Sequence, residues 1–394
     1  METMVTVERA LGIIQNEVTA LDAVPMSLKD VNGLVLAEDI ISTTDIPAFP
    51  QSSMDGYAFA FSETTAQYTL VGEIAAGSNQ NFVLQHGMAV RIFTGAPVPT
   101  GADTVLMQEK AKIESGALMV LDEKLKKGDN VRTIGAEIGK GNCALKKGAI
   151  LKPGSIGLLA GIGVAKVLAY PRPKLGIIVT GNELQKPGMP LNYGQVYESN
   201  SHSLLGALNQ LHINDVNVVQ VKDDLEQLSN SLTDLLKVSD MVLMTGGVSV
   251  GDYDFTVKTF EQSALKAVFH KIKQKPGKPL LFGRKGNKLV FGLPGNPASV
   301  LTCFYEYVLP AIGMLMQQDL SLKKMKAAIA QDYTKPVGIT HFLKAFYNGK
   351  EVCLQAGQES YKLSSYASAN CLVVMPEDCS EITAGTMITI HLLP

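Results

Sequence analysis

The chain has 394 residues, 46% of them hydrophobic and 18% charged, with a net charge of -2 at pH 7, a length suited to roughly two to four domains. This balance excludes a disordered or collagen-like chain, and near-neutral charge argues against a nucleic-acid binder held by phosphate contacts. Cys143, Cys303, Cys353, Cys371 and Cys379 form no CxxC pair and read as reduced, mostly buried thiols.

The opening segment METMVTVERALGIIQNEV carries acids early, lacks the basic start and long apolar run of a signal peptide, and reads as an amphipathic helix. Residues 45 to 141 hold the short runs YAFAF, YTLVGEI, MAVRIF, TVLMQE and ALMVLDE between Gly, Pro and Asn turns, the pattern of a β-rich module. From Pro153, PGSIGLLAGIGVAKVLAY predicts a helix and a short strand that fold back on the N-terminal helix, which makes the β module an insertion. From Lys174 to about Met316, strand-like runs (KLGIIVT, VNVVQV, MVLM, LLFG, KLVFGL) alternate with helical ones (SNSHSLLGALNQL, DLEQLSNSLTDLL, FTVKTFEQSAL and the stretch from Ala298). Such alternation predicts a doubly wound, mostly parallel sheet. The stretch ASVLTCFYEYVLPAIGMLM has the length of a membrane span, but Glu306 and Pro310 make it a core helix, and nothing else points to a membrane. Residues 318 to 394 offer AAIAQDY, FLKAFY, EVCLQA, CLVVMP and TMITIHLL, the strands of a small β-barrel.

The polar, glycine-rich segments of the α/β region fall just after its strands: TGNEL, KDD, TGGVSVGDYD and GLPGNPAS. In an open α/β sheet the carboxyl ends of the strands line the ligand crevice, so Glu183, Asp223, Asp252, Asp254 and Asn296 are expected to converge there. Glycines let backbone N–H groups approach an oxyanion, and a helix starting at Phe255 or Pro297 adds its positive end. Carboxylates beside an anion site imply a hard divalent cation, most simply Mg²⁺, bridging acid to phosphate. Lys275 and Lys278 of KQKPGKP add positive charge on a proline-stiffened turn. Gly, Asn, Asp and Pro are also ordinary turn residues, and Asp224 and Asp252 read as capping or solvated acids. GAEIGKG lacks P-loop spacing, and the six histidines contain no zinc-ligand pair.

In the first β module, FPQSSMDGYA places Asp55 in a turn, RIFTGAPVPTGAD places Thr94 in a stiff loop, and NVRTIGAEIGKG adds Arg132 and Glu137. Taken together, MDGYA, FTGAPVPTGAD, VRTIGAEI, GIIVTGNEL, ESNSHSL, TGGVSVGDYD, KPGKP and GLPGNPAS, in this order, closely resemble the MoeA family of molybdopterin molybdenumtransferases, which includes the E domain of gephyrin.

The resemblance implies an enzyme of molybdenum cofactor biosynthesis that inserts molybdenum from molybdate into adenylylated molybdopterin, with cation-dependent release of AMP. It implies a multidomain α/β plus β fold: an elongated first domain (1–44 and 142–173), an inserted β domain (45–141), a central α/β domain like the molybdopterin adenylyltransferase (174–317) and a C-terminal β-barrel (318–394). It also implies a homodimer with the site between subunits and leaves a complex with the adenylyltransferase open, while the reduced thiols point to the cytoplasm. Carried over by motif, Glu183 and Asp254 bind Mg²⁺, with Asp223 a further acid. Lys275, Lys278 and Ser299 hold molybdate and phosphates. Gly246, Gly247, Ser249 and Asn296 approach the substrate. Asp55 and Thr94 complete the pocket with Arg132 and Glu137 nearby, and Lys344, Ser364 and Ser365 contribute from the barrel. Three departures stand out: Pro50 and Gln51 precede Asp55, Glu137 stands where an aspartate is usual, and Lys344 where an arginine is customary. Two other functions compete: a related pyrophosphatase acting on a pterin or dinucleotide, and a non-catalytic dimeric scaffold of the gephyrin type. Tungstate is a competing oxyanion of nearly the same shape.

Overall fold

The computed structural model describes residues 1–65, 67–78, 82–247 and 255–394, with Phe255 described by its backbone alone. They form two units, Met1–Ala23 with Tyr170–Pro394, and Val24–Ala169.

The larger unit is built on a seven-stranded mixed sheet. Its strand order is Glu2–Val5, Lys266–Ile272, Leu281–Lys285, Lys288–Leu293, Met241–Thr245, Leu175–Thr180, Val216–Val221. The last four run parallel, and Leu281–Lys285 is antiparallel to both neighbours. Every residue of Leu175–Thr180 and Met241–Thr245 is buried, as expected of parallel strands covered on both faces. Leu228, Leu232, Leu235 and Leu236 of the helix Leu225–Val238 pack on Ile178, Val242, Met244 and Val290. Asp224 caps that helix, accepting from the Gln227 N–H at 2.8 Å, the role its position in the sequence predicts.

Two strands of this sheet escaped the sequence reading. The N-terminal segment is a strand, Glu2–Val5, followed by a helix, Val7–Glu17, capped by Thr6. Its strand pairs in parallel with Lys266–Ile272. Neither four residues nor seven carry a decisive period; each is specified by an edge far away in the chain. Leu281–Lys285 and Lys288–Leu293 form a hairpin, so the sheet is mixed rather than wholly parallel.

The helix that follows the last sheet strand runs from Pro297 to Leu315, with a π-helical segment at Phe304–Val308. It is long and apolar enough to cross a membrane, yet 83% of its apolar window is buried inside the fold, as a core helix requires. Beyond it, five strands close into a barrel: Thr340–Tyr347, Glu351–Leu354, Lys324–Ile329, Met387–Leu392 and Cys371–Met375, which pairs back with Thr340–Tyr347. Its interior holds Ile329, Leu343, Val352, Val373, Met375 and Ile390.

In the smaller unit the chain runs out and back as nested antiparallel pairs: Val24–Ser27 with Lys166–Ala169, Ile40–Ile41 with Cys143–Leu145, and Gln51–Ser52 with Val131–Arg132. The returning strand therefore lies on Val24–Ser27; the helix Val7–Glu17 on which it was expected belongs to the other unit. Between the innermost pair lies a six-stranded mixed sheet. Ala58, Val90 and Val105 pack into one cluster and Phe59, Ala89 and Leu106 into another, the alternation expected of strands buried on both faces. Only Cys303 and Cys371 are buried thiols; Cys143 is exposed, and all five are free.

Candidate functional site

Because four strands run parallel, their carboxyl ends, Thr180, Val221, Thr245 and Leu293, share one edge of the sheet. A cleft of about 1170 Å³ opens there. Glu183, Asp223, Gly246, Gly247, Lys275, Lys278, Asn296 and Ser299 all line it. Ser249, Asp252 and Asp254 lie outside the described residues.

The turns are tied to one another before any ligand enters. The Thr180 hydroxyl donates to Asp223 Oδ1 at 2.7 Å and the Asn182 N–H to Asp223 Oδ2 at 3.3 Å, while the Asp223 N–H returns a bond to Asn182 Oδ1. Asp223 thus joins two strand ends, and much of its acceptor capacity is spent on the protein. Glu183 is different: it is exposed, and its carboxylate has no donor or cation partner among the described residues. Gly246 has φ +87°, and a Cβ there would lie 2.2 Å from the Thr180 carbonyl oxygen, so only glycine lets this turn close over the neighbouring strand end.

Lys275 and Lys278 project from the excursion between Lys266–Ile272 and Leu281–Lys285; both are exposed. Backbone bonds from Ile272 N–H to Lys278 O and from Thr340 N–H to Lys273 O, at 2.8 and 2.9 Å, fix its base. Neither ammonium has a described ion-pair partner, which leaves both charges for an anion.

The helix Pro297–Leu315 starts at the cleft, with Ser299 buried in its first turn. Asn200 Nδ2 donates to Gly295 O at 2.9 Å, and Asn296 Nδ2 to Ser360 Oγ at 2.9 Å. The Ala298 N–H donates to Ser360 O at 3.0 Å. The barrel segment around Ser360 thereby closes one side of the cleft, which Gln358, Ser360 and Tyr361 also line.

Two of the three barrel residues expected at the substrate, Lys344 and Ser365, require correction. Lys344 is 1% exposed and does not line the cleft. Its Nζ donates to the carbonyl oxygens of Gly357, Glu359 and Lys362 at 2.8, 3.1 and 3.2 Å, and burial lowers its pKa. Ser365 is buried and donates to Gly357 O and Lys362 O. Ser364 is exposed and gives its carbonyl to Ser368. Lys344 and Ser365 hold the segment that reaches the cleft and do not reach it themselves.

In the smaller unit, Asp55 Oδ1 accepts from both the N–H and the hydroxyl of Thr94, at 2.7 and 2.8 Å. Those bonds hold its carboxyl below the usual range. Arg132 and Glu137 line a separate cleft of about 500 Å³. Gln51 lines it too; its Nε2 donates to Gly95 O at 3.0 Å and its Oε1 accepts from Arg132 at 3.4 Å.

Sequence reasoning did not single out Glu198, Tyr197, Gln358, Ser360 or Tyr361, all in the larger cleft. Glu198 opens the segment ESNSHSL and accepts from the N–H and hydroxyl of Ser201 at 2.8 and 2.5 Å. An acid three residues before a serine at a helix start was the available signal. The other four had none, because they enter through barrel folding or a short strand pair.

Residues 5–163 match the family model described as the MoeA N-terminal region, domains I and II. Residues 176–314 match the probable molybdopterin binding domain, and residues 326–393 the MoeA C-terminal region, domain IV. The chain is 35% identical over 375 residues to a molybdopterin molybdenumtransferase of Haemophilus influenzae, covering 93% of each chain. It is 31% identical over 401 residues to one of Staphylococcus aureus strain Mu50, covering 98% of this chain and 95% of the relative. A crystal structure of a molybdopterin biosynthesis MoeA protein from Pyrococcus horikoshii superposes with a TM-score of 0.84 at 29% identity, covering 99% of both chains.

Proposed function

The chain belongs to the MoeA family of molybdopterin molybdenumtransferases, and from that membership we propose how its own residues carry the reaction. It is an enzyme of molybdenum cofactor biosynthesis that transfers molybdenum to molybdopterin, with molybdopterin and molybdate as substrates. In the finer reading, molybdopterin enters adenylylated and leaves carrying molybdenum, AMP is released, and the cation is Mg²⁺.

One observation carries this reading. A pair of lysines without described partners and a carboxylate without a described donor, Glu183, share one cleft at the carboxyl edge of the sheet. A site for an anion alone has no use for the acid. Among the described residues no three of His, Cys, Asp and Glu cluster into a metal cage. Mg²⁺ needs none, since it is commonly held by one or two carboxylates, waters and substrate phosphates. Glu183 would serve as one such carboxylate, and Asp254, which lies outside the described residues, is proposed as the other. When bound, the cation supplies charge neutralisation at the phosphoanhydride as AMP departs.

Lys275 and Lys278 hold molybdate and the phosphates as point charges, aided by the Ser299 hydroxyl and by backbone N–H groups at Gly246 and Gly247. Asp223 keeps the two acidic turns in register. No protein nucleophile is required. Asp55, Thr94, Arg132 and Glu137 of the other unit are proposed as contributors to the same reaction. The protein is proposed to act in the cytoplasm as a homodimer, with the four-domain division set out above and with the adenylyltransferase as a partner.

The test is AMP release from adenylylated molybdopterin in the presence of Mg²⁺, with and without molybdate, together with the molybdenum content of the product. Molybdate-dependent release with metal in the pterin is the expected result. Release indifferent to molybdate makes the protein a pyrophosphatase, and pterin binding without turnover makes it a scaffold.

A further inference from the structure

Beneath the lysine turn lies a buried polar bracket that the reaction chemistry does not itself use. Gln274 is 1% exposed and immediately precedes Lys275. Its Nε2 donates to the carbonyl oxygen of Pro276 at 2.9 Å, at the crest of the turn. Its Oε1 accepts from the hydroxyl of Tyr307, which is fully buried. The same Nε2 lies 3.7 Å from Cys303 Sγ, and that sulfur lies 3.6 Å from the Gly277 oxygen.

The fit is close. A Cβ on Gly277 would come 2.6 Å from Cys303 Sγ and 2.8 Å from Gln274 Nε2. The turn therefore rests directly on these two side chains, and Gly277, at φ +93°, is required twice over. Cys303 and Tyr307 are i and i+4 on the Pro297–Leu315 helix, so they face the same side. That helix also carries Ser299 into the cleft. One rigid element thus carries an anion-facing hydroxyl at its start and supports the lysine turn one to two turns later.

Both halves of the Gln274 amide are occupied by buried partners, and a buried polar group left without its partner is costly. Flipping the amide would set its oxygen against the Pro276 carbonyl, so the observed orientation ties Gln274 to the crest between Lys275 and Lys278. Long lysine side chains gain precision as anion ligands only when their backbone is held.

We infer that Gln274 and Tyr307 are positioning residues that fix Lys275 and Lys278 for the incoming oxyanion. The inference rests on the transferase reading for the identity of that oxyanion, not for the bracket itself. Gln274→Leu keeps the buried volume but removes both bonds, and Tyr307→Phe removes one.

The experiment uses the full chain, with molybdate as the variable substrate and amide hydrogen exchange followed across residues 275–280. Gln274→Leu is expected to raise KM for molybdate tenfold or more while kcat changes less than threefold, with faster exchange at Gly277 and Lys278. Tyr307→Phe is expected to move both readouts in the same direction by a smaller factor, and the double variant to be no worse than Gln274→Leu alone. Unchanged KM and exchange in Gln274→Leu, or fully additive effects in the double variant, would overturn the inference. Should Gln274→Leu fail to fold, Tyr307→Phe decides by the same two readouts. Absence of molybdenum transfer by the unaltered chain would sink the transferase reading, while the exchange measurement would still decide whether the bracket holds the turn.

Discussion

Lys344 Nζ and Ser365 Oγ donate to the same two backbone carbonyls, those of Gly357 and Lys362. These two carbonyls bracket the segment that brings Gln358, Ser360 and Tyr361 to the cleft. The ammonium is buried and satisfied entirely by backbone oxygens, an arrangement in which removing the donor strands several acceptors at once. Lys344→Met is expected to destabilise the protein by about 3 kcal/mol, and Ser365→Ala by about 1 kcal/mol. Urea denaturation followed by a barrel probe measures both; equal, negligible losses would mean that water replaces the ammonium freely.

His391 on a barrel strand and Glu306 in the π-helical segment form a second such link. His391 Nδ1 lies 2.8 and 3.0 Å from the two carboxylate oxygens, and both residues are 6% exposed. Removing the imidazole leaves a buried carboxyl group without its hydrogen-bond partner. His391→Leu is expected to cost about 2–3 kcal/mol, the scale of leaving a buried polar group unsatisfied, and Glu306→Gln, which keeps a hydrogen-bonding carbonyl, distinctly less. A double-mutant cycle in urea checks the coupling.

His341 gives a pH dependence. It is 4% exposed and accepts or donates at Nδ1 to the Tyr333 hydroxyl at 3.1 Å. Burial, followed by the charges of Lys335 and Lys275, pushes it down to about 4. The unfolded chain therefore binds a proton between the ordinary histidine pKa of about 6.5 and 4 that the folded chain does not. Stability from this residue is fully present above about pH 6.5 and is lost as pH falls towards 4, by about 3 kcal/mol in all. His341→Gln should flatten that part of a melting-temperature profile. Lys275→Met should raise the histidine pKa, which an NMR titration reads directly.

Glu183→Gln tests the acid in the cleft. The carboxylate is exposed and has no described partner, so the melting temperature should not move. Molybdenum insertion is expected to fall by about a hundredfold, the scale of losing one electrostatic contributor to catalysis, with a weaker response to added Mg²⁺. Activity within a factor of three of the unaltered chain would remove Glu183 from the mechanism.

In the other unit, Thr94 holds Asp55 ionised through its backbone N–H and its hydroxyl. Thr94→Val removes the hydroxyl alone. The Asp55 carboxyl should then titrate closer to the ordinary aspartate range, as followed by carboxyl-carbon NMR shifts. Asp55→Ala is expected to lower molybdenum insertion more than Thr94→Val does, because the latter keeps the backbone donor and the charge.

Much of the lining of the candidate site was legible because its parts are local. Glycine at a turn that closes over a neighbouring strand, acids after buried strands and lysines on a proline-stiffened loop announce themselves within ten residues, and Glu183, Asp223, Lys275, Lys278, Asn296 and Ser299 indeed line one cleft. The barrel contribution was misread at Lys344: a basic residue in a family position looks like an anion contact until its burial is known. Gln274 was passed over, since a glutamine beside lysines has no signature of its own.

Sequence alone determined where most strands and helices lie, which turns follow them and which family the order of motifs points to, because hydrophobic period, capping and turn chemistry are properties of neighbours along the chain. Tertiary structure alone decided that Glu2–Val5 joins a strand at Lys266–Ile272, that Lys344 turns inward to three carbonyls, and that Gln274 meets Tyr307 beneath the lysine turn. Each of those outcomes depends on which partner fills a buried hydrogen bond or sheet edge, and that partner comes from a distant stretch of chain that no local pattern specifies.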